Sequence, residues 1–167
     1  MRFRNSFALL VFACFSFILA THKLVHAAPL DRTLKVKLNY TGACTVDEKH
    51  KIYVLLFDAN PLTASTLIDS TSQPTPAGST AGVSHIIARE SSPAKDDTIT
   101  FHSVGISPVY VASFLDKTGT YDGHGDPTAG SPMGLYGAPP DKLQAITLEP
   151  GKTVEVNFSF DDSRLTP

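Results

Sequence analysis

Asp116, Asp122 and Asp126 fall within eleven residues of one another, in the stretch Asp116-Lys117-Thr118-Gly119-Thr120-Tyr121-Asp122-Gly123-His124-Gly125-Asp126-Pro127. Hard cations such as Ca²⁺ take six to eight oxygens, usually from several carboxylates on a loop whose glycines let it wrap the ion. The three aspartates are therefore the candidate metal ligands, with calcium the one cofactor such a set suggests. An EF-hand register opening at Asp116 would put Tyr121 where glycine is required, so that motif is absent. Like charges this close need either a cation or backbone donors to compensate them, and the competing reading is a Gly/Asp turn whose carboxylates cap N–H groups. His124 would add a nitrogen ligand for a transition metal.

Nucleophilic chemistry has little to work with. His50, His85, His102 and His124 stand in neither an HExxH nor a CxxC context, and Ser79 and Ser131 lie among glycines without forming a Gly-x-Ser-x-Gly elbow. Cys44 and His50 make a thiol and a base six residues apart, but with no third group to orient them. Cys44 itself reads as a buried, inert thiol, the alternative being an intermolecular pair. Sugar recognition needs exposed rings to stack on. The chain has no Trp, which leaves Tyr121 and Tyr136, with His124 between them, as the candidate ligand contacts. Two sequons, at Asn39 and Asn157, would carry glycans only in a glycosylating host.

The elements that must position these residues show two-residue periodicity. In 33–40 the residues Leu34, Val36, Leu38 and Tyr40 alternate with polar ones, and in 153–160 Val154, Val156, Phe158 and Phe160 do the same. Successive side chains of a strand point to opposite faces, so each is a strand with one dry and one wet face. Segments 52–58 and 109–116 are apolar at nearly every position and read as central strands covered on both sides. Weaker patterns predict strands over 83–90, 98–101 and 143–149. Pro150-Gly151-Lys152 is expected to join the last two strands as a hairpin. Segment 59–82 reads as a Pro/Ser/Thr/Gly-rich loop and 117–142 as a loop ordered around something. The tail 161–167 reads as a flexible, solvated end. No segment shows sustained helical spacing. Seven strands without βα alternation imply an all-β, antiparallel sandwich, with a partly open barrel as the alternative.

The run Val104-Gly105-Ile106-Ser107-Pro108-Val109-Tyr110-Val111-Ala112-Ser113-Phe114-Leu115-Asp116 resembles the signature strand of carboxypeptidase-regulatory-like, or prealbumin-like, domains. There a short loop precedes a Tyr-x-Val-x-Phe-x-Asp strand and a Gly-rich loop follows. The sequence departs from the pattern at Val109, where the family usually has Gly. The pairing of this strand with segment 52–58, which also ends in Asp, and with the closing strand after Pro150-Gly151 is similar too. The likeness is nearest to small, uncharacterised exported bacterial proteins of this type. It implies a seven-stranded Greek-key sandwich with a binding or structural role, and no catalytic residues.

The chain opens with Arg2 and Arg4, then an apolar run over 7–20, then Val25-His26-Ala27-Ala28. That order is the layout of a signal peptide, and the run is shorter than the roughly 20 residues that span a bilayer. Cys14, after Val11-Phe12-Ala13, offers a lipoprotein cleavage box as the competitor, which the bulky Phe12 and the continuing apolar stretch disfavour. Cleavage after Ala27 makes 1–27 the signal and 28–160 the domain. Mass-spectrometric sequencing of exported protein is expected to find Ala28 at the N-terminus; an intact Met1 or a diacylated Cys14 would contradict this. The signal takes Arg2, Arg4 and Lys23 from the chain's 14 basic residues and none of its 16 acidic ones, so the remainder is acidic. Such a balance disfavours nucleic acid and anionic membrane surfaces.

Together these readings describe a secreted or periplasmic, non-enzymatic β-sandwich that touches membrane only through its cleaved signal. Its expected role is binding a protein or glycan partner, or contributing to envelope structure. A carbohydrate-binding module is the alternative, and an exported hydrolase the third.

Overall fold

The computed structural model describes residues 31–71, 82–137 and 143–167, so the expected signal peptide lies outside the described residues. Among the described residues there is no helix, and none long and apolar enough to cross a membrane. The chain is all-β, with strands β1 Thr33–Tyr40, β2 Ile52–Phe57, β3 Thr66–Asp69, β4 Val83–Ser92, β5 Asp96–Phe101, β6 Tyr110–Leu115, β7 Met133–Leu135 and β8 Thr153–Phe160. They form a three-stranded sheet in the order β5-β1-β8 and a five-stranded sheet in the order β3-β4-β2-β6-β7.

The alternating pattern of β1 sends Leu34, Val36, Leu38 and Tyr40 to one buried face, joined by Val156, Phe158 and Phe160 of β8 and by Ile99 and Phe101 of β5. Ile52, Val54 and Leu56 of β2 and Val111 and Leu115 of β6 meet them from the other sheet, so the two sheets share one core. The opposite parity of β2 and β6 is also covered: Leu55, Phe57, Ala112 and Phe114 pack beside Tyr53, Met133 and Leu135 of the same sheet and against Tyr121 of the loop after β6. A strand buried on both faces can carry apolar residues at consecutive positions, which is why β2 and β6 lack alternation.

Several expectations are corrected. The described residues hold eight strands rather than seven. β3 and β7 arise inside segments expected to be loops. Segment 143–149 is not a strand: Leu143, Ile146 and Leu148 are buried, but the segment pairs only through the isolated bridge of Ile146 with Val109. The Pro150-Gly151 turn is present, with Lys152 N–H donating to Glu149 C=O, yet β8 after it does not fold back onto segment 143–149. β8 instead runs parallel to β1, Thr33 facing Thr153 through to Tyr40 facing Phe160. β3 and β4 are parallel as well, so both sheets are mixed rather than antiparallel. A parallel pair needs a crossover, and between β1 and β8 the strands β2 to β7 supply it in place of a helix.

The tail is held as well. Met133 N–H donates to Arg164 C=O and Thr166 N–H to Ser131 C=O, so the chain after β8 crosses between the sheets and runs along the free edge of β7. Thr166 is buried, its hydroxyl donating to Thr128 C=O at 2.7 Å. At the start of the tail, Asp162 accepts the Tyr40 hydroxyl and, at 2.7 Å, the Ala43 N–H. Burial first, and then the bond to Asp162, pushes the Tyr40 phenol up from its ordinary pKa. Residues 161–166 are therefore fixed by backbone and carboxylate bonds that an apolar-periodicity reading does not register.

Candidate functional site

Asp116 follows directly after β6, a strand buried on both faces, and its carboxylate is buried with it. One oxygen accepts the Thr118 N–H at 3.2 Å, the Thr118 hydroxyl at 3.0 Å and the Gly119 N–H at 2.9 Å; the other accepts the Tyr121 N–H at 2.8 Å. Gly119 adopts a positive φ of 66°, which lets the loop curl around the carboxylate. Burial alone would raise the Asp116 pKa, but the Tyr121 amide, the Thr118 side chain and the Gly119 amide together outweigh it and leave it lowered. A carboxylate with depressed pKa contributes fully above the unfolded value of about 3.9, and that contribution drains away as pH falls through the lower folded value. Asp116→Ala is expected to cost about 3 kcal/mol, since four donors lose a charged acceptor, and to flatten the acid limb of stability against pH. Urea denaturation at several pH values measures both.

Asp122 and Asp126 are exposed, and Asp122 accepts the N–H of His124 at 3.0 Å. Among the described residues no group of three or more His, Cys, Asp or Glu is arranged to hold a metal ion, so the expected triad is not gathered. The physical reason is that Asp116 is turned inward onto its own loop. Calcium would have to compete with four satisfied donors there, so millimolar Ca²⁺ is expected to leave the melting temperature unchanged. A rise would show that the loop reorganises around the ion.

The loop after Asp116 lies on the outer face of the five-stranded sheet. Tyr121 sits edge-to-face with Tyr53 at 4.7 Å and Phe114 at 4.8 Å, while the Arg89 guanidinium lies 5.7 Å from its ring centre. Burial, opposed by Arg89, pushes the Tyr121 phenol up. Arg89 of β4 donates to Gly123 C=O through Nη1 and, at 2.8 Å, to Asp69 of β3 through Nη2. It thus pins the loop to the sheet. Asp69 also accepts the Thr71 hydroxyl at 2.6 Å; burial works against its ionised form, but the bonds from Thr71 and Arg89 win and bring it down to about 2. His124, 68% exposed, has Nδ1 3.9 Å from Asp69. Tyr121 and His124 therefore share one polar cluster, whereas Tyr136 lies elsewhere, its ring edge-on to Phe158 at 6.4 Å. The expected ligand set is not brought together. Both tyrosine rings are engaged in packing, which leaves them poor platforms for a sugar face.

Two further arrangements were not legible in the sequence. Asp58, at the end of β2, accepts the His85 N–H at 2.7 Å and faces His85 Nδ1 at 2.6 Å, and both residues are buried. The pair sits beside a β-bulge where Phe57 faces Ile86 and Leu56 faces Ala88. Ser84, the neighbouring hydroxyl, donates instead to Ala59 C=O at 2.8 Å. The Asp–His pair thus ties β2 to β4. Cys44, expected to be buried, is a half-buried free thiol whose N–H donates to the Tyr40 hydroxyl, while His50 Nδ1 is engaged by Asp47 at 2.9 Å.

The second arrangement is a cleft of about 330 Å³ where β7, the end of β8 and the tail meet. Met133, Leu135 and Phe160 give it an apolar part; Thr41, Ser159, Asp161, Ser163 and Arg164 supply hydroxyl and charged groups. Its volume is near the lower end of the roughly 300–1,000 Å³ typical of small-ligand sites. The polar composition of 161–167 carries no apolar periodicity, so nothing in the sequence points here. Comparison with protein-family models, curated proteins and solved structures finds no match for the chain.

Proposed function

We propose that this protein is an exported, non-enzymatic β-sandwich module, secreted or periplasmic, that works by binding an extended protein or glycan segment. The observation that carries this reading is the cleft between β7 and β8, where an apolar strip lies beside hydroxyl, carboxylate and guanidinium groups. Such a mixture suits a ligand with alternating apolar and polar surface. In the finer reading the domain is prealbumin-like. Its support is the pairing of the signature strand β6 with β2 and the Gly-rich loop that Asp116 organises after it. The closing strand β8 departs from that resemblance by joining β1 in the other sheet.

The test is a titration of isotope-labelled protein with short oligosaccharides and with short extended peptides, followed by NMR. Saturable shifts centred on Thr41, Leu135, Ser159 and Ser163 are expected with one of the two classes, and Ser159→Trp, which fills the cleft, should abolish them. Shifts centred on Tyr121 and His124 would move the site to the outer face of the other sheet. Absence of saturable shifts at millimolar ligand would leave the envelope-structural role.

A further inference from the structure

A sandwich of two open sheets has four edges, and each unpaired edge is a template for another strand unless something blunts it. Here β3 is only four residues long, β7 is three residues long with Met133 already bonded to the tail, and β5 opens with the adjacent charges of Asp96 and Asp97. β8 is different. It has eight residues, pairs continuously and without a bulge with β1, and contains neither Pro nor Lys. Among the described residues no strand pairs with its other edge.

The ladder's register says which groups that edge offers. Thr33 N–H donates to Lys152 C=O at one end and Thr41 N–H to Phe160 C=O at the other. In a parallel ladder this spends the N–H and C=O groups of the even-numbered residues of β8 on β1, and turns those of Thr153, Glu155, Asn157 and Ser159 outward.

We infer that this edge pairs with β8 of a second copy of the chain, the two strands antiparallel about a two-fold axis at Val156. A two-fold contact is self-complementary. Glu155 then faces Asn157 of the second copy, Thr153 faces its Ser159, and Val154 faces its Phe158, so no like charges stand directly opposite one another and the core-facing row stays apolar. Charge favours this register further. Lys37 forms an ion pair with Glu155 at 2.5 Å within each copy, which leaves Glu155 compensated as it meets the neutral Asn157. Ser159 lines the cleft, so Thr153 of the second copy would border it and complete its rim.

Sedimentation velocity of the purified protein across a concentration series tests this, with substitutions at Asn157. Asn157 faces Lys37 within the copy and Glu155 across the axis, so charge at 157 acts oppositely on fold and dimer. Asn157→Glu should improve the contact with Lys37 yet raise the dimer dissociation constant about tenfold, through two symmetric Glu–Glu contacts; Asn157→Lys should lower it. Amide exchange should slow with concentration at Glu155, Asn157 and Ser159. A monomer at every concentration up to about 1 mM, a dimer indifferent to the charge at 157, or protection of these amides only when a foreign peptide is added would each overturn the inference.

Discussion

Phe158→Ala is expected to lower the stability of the fold by about 3–5 kcal/mol, whereas Asn157→Ala, one residue earlier on the same strand, should change it by less than about 0.5 kcal/mol. Phe158 is 3% exposed and lies in the core between the sheets, stacked on Phe160 at 5.9 Å and met edge-on by Tyr136. Truncation removes the transfer free energy of a ring and leaves a space that residues from both sheets line, so neither sheet can collapse into it alone. Asn157 faces solvent. Chemical denaturation of the two variants side by side measures the contrast, and equal losses would mean that the parity assigned to β8 is inverted.

Gly134→Ala is expected to be nearly as damaging, about 3 kcal/mol or more, and Gly134→Val to prevent folding. A Cβ at this position would lie 2.5 Å from Phe160 Cβ, 2.8 Å from Phe160 Cγ and 2.9 Å from Phe158 Cζ. The nearest of these atoms is fixed to the β8 backbone, so a rotamer change cannot relieve the overlap and the two sheets must part where β7 approaches β8. Gly105→Ala is the control, because a Cβ there meets nothing within 4 Å. Thermal melts of the two alanine variants should separate clearly. A Gly134→Ala protein that melts with the parent would show that β7 rides on β8 more loosely than this packing implies.

Six of the eight strands were legible because alternation or continuous apolar character reports how a strand is buried, and β1, β2, β4, β5, β6 and β8 carry one or the other. β3 was hidden because Leu67 and Ile68 are both exposed and its pattern encodes no face; β7 because three residues centred on glycine make no period. Segment 143–149 mimics a strand for the opposite reason, since Ile146 and Leu148 are buried without a strand partner to match. Strand direction left no trace at all. Alternation is the same read from either end, and so the parallel pairing of β1 with β8 could not be inferred from it.

The candidate site divides along the same line. Asp116 was legible as a carboxylate beside glycines, and its partners Thr118, Gly119 and Tyr121 all lie within five residues of it. Arg89 and Asp69, which lock the same loop, sit 20 residues apart on two strands, where a period-two reading treats them as ordinary polar positions. The cleft needed the tail to be folded, and long-range bonds from Thr128, from residues 130–133 and from Tyr40 and Ala43 hold it.

The parallel pairing of the first and last strands also fixes how the domain answers to force. Because β1 and β8 run side by side in the same direction over eight register positions, their outer ends lie at opposite ends of the ladder. Tension applied between residue 33 and residue 160 therefore loads the ladder in shear: its hydrogen bonds lie across the pulling direction and share the load. An antiparallel pair pulled from adjacent ends would open one bond at a time. Forced unfolding is governed by the rate of crossing the unfolding barrier rather than by equilibrium stability. A chain tethered at both ends would thus hold against stretching through β1 and β8 first, with the core behind them still closed.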